Sequence, residues 1–271
     1  MHENQEPVLV IGGGVGPMAG VALHAMIIKN TMTDGSDQDH LSVIHLSCSS
    51  LVPDRTRYLL EPETASDPAA GMADVFAMAT KALDGQRAVG GVPCNTFHAP
   101  LIYQRFVTLL SARLRPQHDD IRIVNMLNES VALLATRLGL SSANASAAPL
   151  IGLLTTTGTR RSGVYDALLT EKGFTPLYVS EAEQEKLHAA IYDTDWGIKA
   201  TPVPSNRARN TVIDLAESLV ARGAVAIMPS CTELPLVLEG TEFAGLPLVD
   251  PVLALARALI REAAPHKLRP L

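Results

Sequence analysis

The chain carries one local pattern twice, once in each half. Ala88–Thr96 reads Ala-Val-Gly-Gly-Val-Pro-Cys-Asn-Thr, and Ala224–Thr232 reads Ala-Val-Ala-Ile-Met-Pro-Ser-Cys-Thr. In both, a short apolar run suited to a buried strand reaches a proline, and a thiol and a threonine follow. Each half also has a loop of small residues after an earlier strand. Gly14 stands about as far ahead of Cys94 as Thr155 does ahead of Cys231. Such a duplication predicts two pseudo-symmetric α/β domains. In open α/β sheets ligands bind beyond the carboxyl ends of the strands. Two domains facing each other across a cleft would therefore bring both cysteine loops to one ligand.

The rest of the chain fits that plan. Val8–Ile11 reads as a strand, followed by the Gly12–Gly16 turn and a helix opened by Pro17 that runs to about Asn30. Strands are expected at Leu41–Leu46, Arg87–Val92, Ile121–Met126, Leu150–Leu154 and Ala224–Met228. Helices are expected at Asp67–Leu83, Phe97–Leu114, Asn128–Leu138, Tyr165–Glu171, Ala182–Tyr192 and Arg207–Arg222. Short apolar strands alternating with helices predict parallel sheets covered on both faces. The first domain is expected to hold residues 1–118 and 251–271, and the second residues 119–250. The small polar stretch Ser141–Ala148 reads as a surface loop.

Composition excludes several classes of partner. A net charge of −6 argues against nucleic acid, which needs a basic face. No run of about 20 apolar residues predicts a membrane span. Met1–Pro7 is polar and acidic, unlike a secretory or transit signal. Three widely spaced cysteines form neither a disulfide framework nor a metal pair, and His24, His40 and His45 lack metal-ligand spacing. A reducing cytoplasm is the simplest setting for free thiols.

Cys48 reads as an ordinary small buried residue. Cys94 and Cys231 share a context that points to chemistry. Each is expected to precede a helix, whose N-terminus favours the thiolate. Asn95, Thr96 and Thr232 either cap those helices or face a ligand. A single nucleophilic thiol normally works with a base such as histidine. His98 follows Cys94 by four residues, but no histidine follows Cys231 in the same way. Two symmetric thiols fit proton transfer better: one removes a proton from carbon and the other returns one to the opposite face. That is a racemase or epimerase.

Other motifs are weaker alone. Gly14 and Gly16 begin a dinucleotide-type fingerprint, but its third position is Ala19 and no acidic residue ends the second strand, so NAD is disfavoured. Arg55 has the planar fork of a carboxylate clamp, or else pairs with Asp54 at the surface. Thr155, Thr156, Thr157 and Thr159 offer donors to a ligand, or else form a turn and cap. Glu233 either tunes the Cys231 thiol or caps the helix expected after it.

Assembled, these residues resemble the aspartate/glutamate racemase superfamily, and within it the aspartate racemase branch. The carrying motifs are Gly13–Ala19, Asp37–His40, Val52–Thr56, Pro93–His98, Gly152–Thr159, Ser230–Leu234 and Val249–Pro251. The resemblance implies two Rossmann-like domains with the site in the cleft between them. It also implies a homodimer, a small acidic amino acid as substrate, and no cofactor, PLP included. Cys94 and Cys231 would be the catalytic pair. Gly14, Val15, Asn95, Thr96, Thr156, Thr159, Thr232 and Glu233 would line the substrate, the threonines and Asn95 holding its α-carboxylate and ammonium. Arg55 would hold the side-chain carboxylate, and Lys199 corresponds to a substrate-binding lysine. The chain departs from the pattern at Val15 (usually methionine), at Ser230 (usually glycine) and at Phe97 (usually small), which would narrow the site. Gly12–Gly14 replaces the Asp-Ser-Gly start of the glutamate racemase branch. A diacid cis–trans isomerase and a non-catalytic amino-acid-binding relative are the alternatives on the same scaffold.

Overall fold

Each parallel strand here is a short apolar run with a helix to return the chain to the same edge. In the first unit these runs are β1 (Val8–Gly13), β2 (Val43–Ser47), β3 (Ala88–Gly91) and β4 (Ile121–Ile123). They form one parallel sheet in the order β2-β1-β3-β4, with Leu9 opposite Val43, Val8 opposite Ala88, and Ala88 opposite Ile121. The computed structural model describes residues 6–115, 120–139, 148–201 and 203–271. They divide into one unit running to Met126 and including Val252–Leu271, and another of Leu127–Pro251.

The first unit carries α1 (Pro17–Asn30), α2 (Arg55–Leu60), α3 (Pro68–Leu83) and α4 (Pro100–Arg113). Three of them open on proline, which loses no hydrogen bond in a first turn. Their core gathers Val10, Met72, Phe76, Phe97, Ile102 and Phe106. Phe76 explains the glycines in two of the strands. A Cβ at Gly12 or Gly90 would come within 2.5 Å of its ring, so only bare backbone lets the ring lie on the sheet. Gly14 has φ +86°, and a Cβ there would also meet the Cys48–Ser49 backbone at 2.6–2.7 Å. The turn after β1 is thus built by close backbone approach.

The second unit repeats the central part of the pattern. Strands β5 (Leu150–Thr155), β6 (Thr175–Tyr178) and β7 (Ala226–Ser230) form a parallel sheet in the order β6-β5-β7. Its helices are α5 (Met126–Arg137), α6 (Thr157–Arg161), α7 (Val164–Glu171), α8 (Glu181–Tyr192) and α9 (Asn206–Ala221). Ser180 and Glu183 form a reciprocal capping box at α8, and Ser205 caps α9. The last helix, α10 (Pro251–Ala263), belongs almost wholly to the first unit. Leu255 on it covers Gly91 of β3.

Several expectations need correction. Ile121 does not open the second domain: β4 pairs with β3 in the first sheet, so the division follows Met126, not residue 118. The expected strand at Ile121–Met126 is shorter, and Met126 already starts α5. The helix expected from Phe97 starts only at Pro100, after a 3-10 turn at Thr96–His98. The short helix α2 and strand β6 lie where no element was expected. Residues 1–5 and 141–147, which carry most of the N-terminal reading and of the polar loop, fall outside the described residues. Among the described residues no helix is long and apolar enough to cross a membrane.

Candidate active site

The two cysteines occupy equivalent places in the two sheets. In the first, β1 is flanked by β2 and β3, and β3 leads to Cys94. In the second, β5 is flanked by β6 and β7, and β7 leads to Cys231. The loops after β1 and β5 are the glycine turn and the threonine cluster. Both thiols are free and buried, at 7% and 5% exposure.

On the first unit, the Cys94 loop is a tight turn in which the Cys94 amide donates to the Val92 carbonyl at 2.9 Å. The Cys94 carbonyl accepts from the Phe97 amide at 3.2 Å and lies 2.9 Å from His98 Nδ1. His98 Nε2 accepts from the Met126 amide at 3.3 Å. That acceptor role assigns the proton to Nδ1, which donates to Cys94 O. His98 therefore grips the backbone of the cysteine loop and not the sulfur. It stacks on Tyr103 with ring centroids 5.0 Å apart. Burial pulls its pKa down to about 4.

A pH prediction follows. An unfolded histidine titrates near 6.5, so between that pH and about 4 the unfolded chain takes up a proton that the folded His98 refuses. Stability is fully present above pH 6.5 and is lost as pH falls, by on the order of 3 kcal/mol below pH 4. Urea midpoints measured from pH 7 to 4.5 should fall in wild type, and this part of the fall should vanish in His98→Gln.

Asn95 and Thr96 are buried at 2% and 5% exposure, and no side-chain cap from Asn95 closes the turn it begins. Phe97 does not narrow the site. It is fully buried in the core, edge-on to Phe106 at 5.2 Å. The Asp54 carboxylate caps α2 by accepting from the Arg57 amide at 2.6 Å. The Arg55 guanidinium donates to Val15 O at 2.8 Å and Pro53 O at 3.2 Å, which ties the loop after β1 to its own loop. Gly14, Val15 and Arg55 are thereby brought together in the first unit.

On the second unit, Thr155, Thr156 and Thr159 are buried at 0%, 3% and 1% exposure. Thr156 caps α6, accepting from the Thr159 amide at 3.2 Å, and its hydroxyl lies 3.0 Å from that of Thr159. The capping reading therefore holds for this pair. Gln184 on α8 donates to Thr155 O at 3.0 Å and pins the loop.

The Cys231 loop differs from expectation. A 3-10 turn, Leu234–Leu236, follows it instead of an α-helix, so no helix N-terminus supports a thiolate there. Glu233 makes no side-chain cap to that turn. Its carboxylate, 5% exposed, instead faces the thiol: Cys231 Sγ donates to Oε2 at 3.1 Å, and the Thr232 hydroxyl donates to the same oxygen at 3.3 Å. Lys199 Nζ holds the other oxygen. Burial pushes the Cys231 thiol well up, the Glu233 carboxylate adds to the rise, and Lys199 opposes it. Thr232, Glu233, Cys231 and Lys199 thus form one cluster.

Local pattern did not reveal all of this site. Lys199 Nζ also lies 5.6 Å over the Tyr192 ring, which stacks on His188 at 4.8 Å, and His188 Nδ1 is 3.4 Å from Thr157 Oγ1. His188 and Tyr192 sit four apart on α8, a spacing that puts them on one face and could have been read in advance. Ser230, the departure from glycine, is fully buried and hydrogen-bonds to the Tyr165 side chain. Among the described residues no group of three histidine, cysteine or acidic side chains is placed to hold a metal ion.

Comparison with known proteins agrees with the fold of the chain. An aspartate racemase from Picrophilus torridus superposes with a TM-score of 0.70 at 23% identity, over 95% of this chain and 94% of its own. An aspartate racemase homologue from Pyrococcus horikoshii gives 0.65 at 18% identity, over 96% and 100%. A glutamate racemase from Francisella tularensis, in complex with D-glutamate, gives 0.58 at 14% identity, over 98% and 84%. At these identities the likeness establishes the fold. The sequence model of the Asp/Glu/Hydantoin racemase family matches residues 13–259. The chain therefore belongs to the Asp/Glu/Hydantoin racemase family.

Proposed function

We propose that the protein is a cofactor-independent amino-acid racemase, acting on aspartate or a similar acidic amino acid, with Cys94 and Cys231 as its two acid–base groups. The observation that carries this reading is the equivalent placement of two buried thiols, each following the strand next to the centre of its sheet. A single nucleophile would not need a counterpart in the second sheet. In the scheme, a thiolate on one face of the α-carbon takes the α-proton. The electron pair left behind is delocalised into the α-carboxylate as an enediolate. The other thiol then delivers its proton to the opposite face and becomes the thiolate. No other bond breaks.

Without an electron sink such as PLP, the developing oxyanion must be met by fixed donors. Asn95, Thr96, Thr156, Thr159 and Thr232 are assigned to the α-carboxylate and ammonium, with the loop at Gly14 and Val15 as a wall. Arg55 is assigned to the distal carboxylate. Glu233 suits the ammonium and Lys199 a carboxylate, a pairing that favours a zwitterion over a plain diacid. The active species is proposed to be a homodimer.

The test is proton NMR of L-aspartate in D₂O with purified protein and reductant, without PLP. Loss of the α-proton signal together with appearance of D-aspartate on chiral chromatography is the expected result. If no acidic amino acid exchanges, and maleate instead becomes fumarate with a thiol adduct on mass analysis, the protein is an isomerase of diacids.

A further inference from the structure

The two thiols are equivalent in topology but not in surroundings. Cys231 donates to the Glu233 carboxylate, whose second oxygen is held by Lys199. Among the described residues no hydrogen bond or ion pair reaches the Cys94 sulfur, and its neighbour His98 is spent on backbone groups. We propose that Glu233, anchored by Lys199, is a positioning residue that keeps the shared proton on Cys231 in the unliganded enzyme, so that Cys94 is the first base and Cys231 the first acid. This rests on the racemase reading above.

A hydrogen bond between a thiol and a carboxyl group has one proton, which sits on sulfur or on oxygen. The Glu233 carboxylate is almost fully buried, and the Lys199 ammonium holds its other oxygen. The Thr232 hydroxyl adds a second donor to Oε2. A carboxylate with three donors holds the thiol as a thiol. A thiolate 3.1 Å from that carboxylate would place two negative charges side by side in a buried site. The charged groups acting on the thiol are Glu233 from its own loop and Lys199 from the segment after α8. Desolvation works in the same direction as Glu233.

The consequence for a turnover is definite. Cys94 thiolate takes the α-proton and Cys231 thiol supplies the proton to the other face. The enzyme is left with Cys94 as the thiol and a Cys231 thiolate beside Glu233. The strain of that second state drives either proton uptake from solvent or a turnover of the opposite enantiomer.

The test follows each thiol separately. Iodoacetamide alkylation rates of Cys94 and Cys231 are measured by peptide mass spectrometry from pH 6 to 10. In wild type the Cys231 midpoint should lie above that of Cys94. In Glu233→Gln it should fall by at least about one pH unit, and alkylation at pH 7 should rise about tenfold, with Cys94 unmoved. An unchanged or raised Cys231 midpoint in a folded Glu233→Gln protein overturns the proposal. Should that variant fail to fold, the S–H stretching band of Cys231 is titrated in Cys48→Ser/Cys94→Ser protein. A band persisting well above pH 8.5 supports the proposal, and its loss near neutral pH refutes it. Racemisation by the single cysteine variants, measured in parallel, tests the underlying reading independently of where the proton rests.

Discussion

Cys94→Ala and Cys231→Ala each lower racemisation by roughly 10²–10⁴-fold, the contribution of one positioned proton-transfer group. The expected loss is the same for both because inversion needs a donor on one face and an acceptor on the other. Each substitution removes a single sulfur from a small buried side chain, so the fold should survive. The two variants differ from a generally damaged protein in a second readout. With one thiol left, proton exchange at the α-carbon can continue on one face without inversion. Chiral chromatography should therefore show loss of racemisation in both, while D₂O exchange persists longer for one enantiomer in each and with opposite preference. Full racemisation by either variant would rule out the two-thiol scheme.

Gly71→Ala is expected to cost the first unit about 3 kcal/mol, at the upper end of overpacking effects. Gly71 lies in α3, and a Cβ built on it would overlap the Leu51 carbonyl, which belongs to backbone and cannot rotate away as a side chain would. Either α3 or the Ser49–Leu51 turn must move. A thermal midpoint lower by about 6–12 °C is the corresponding shift for a chain of this size. The damage also reaches the candidate site. The turn leads directly into Val52 and Pro53, whose carbonyls receive Arg55, and Arg55 in turn holds Val15. The folded fraction of the variant should therefore show a raised KM for an acidic substrate with less change in kcat. A midpoint within 2 °C of wild type would mean that the helix and turn separate without cost.

Much of this molecule is legible in local pattern. Short apolar runs between helical stretches indicate parallel sheets, because such runs bury both faces and their connections need the length of a helix. The doubled proline-and-cysteine context marks equivalent strand ends, and the family match over residues 13–259 spans both. Where the pattern failed, a long-range partner decided. Ile121–Ile123 looks like the start of a new domain, but it completes the first sheet by pairing with β3. Phe97 sits beside a cysteine and reads as a site residue, yet its ring is taken up by Phe106 in the core.

The sequence by itself determined the α/β architecture, the pair of thiols and the loops that carry them, because strand length, helix periodicity and turn chemistry are properties of neighbouring residues. Only the tertiary structure decided how the thiols differ. Lys199 reaches Glu233 across 34 positions, and Arg55 reaches Val15 across 40. The turns after Cys94 and Cys231 both close as 3-10, so a helix dipole is withheld from each and the difference lies in their side-chain partners. A charge acts through distance and burial, and neither is written in the order of residues along a chain.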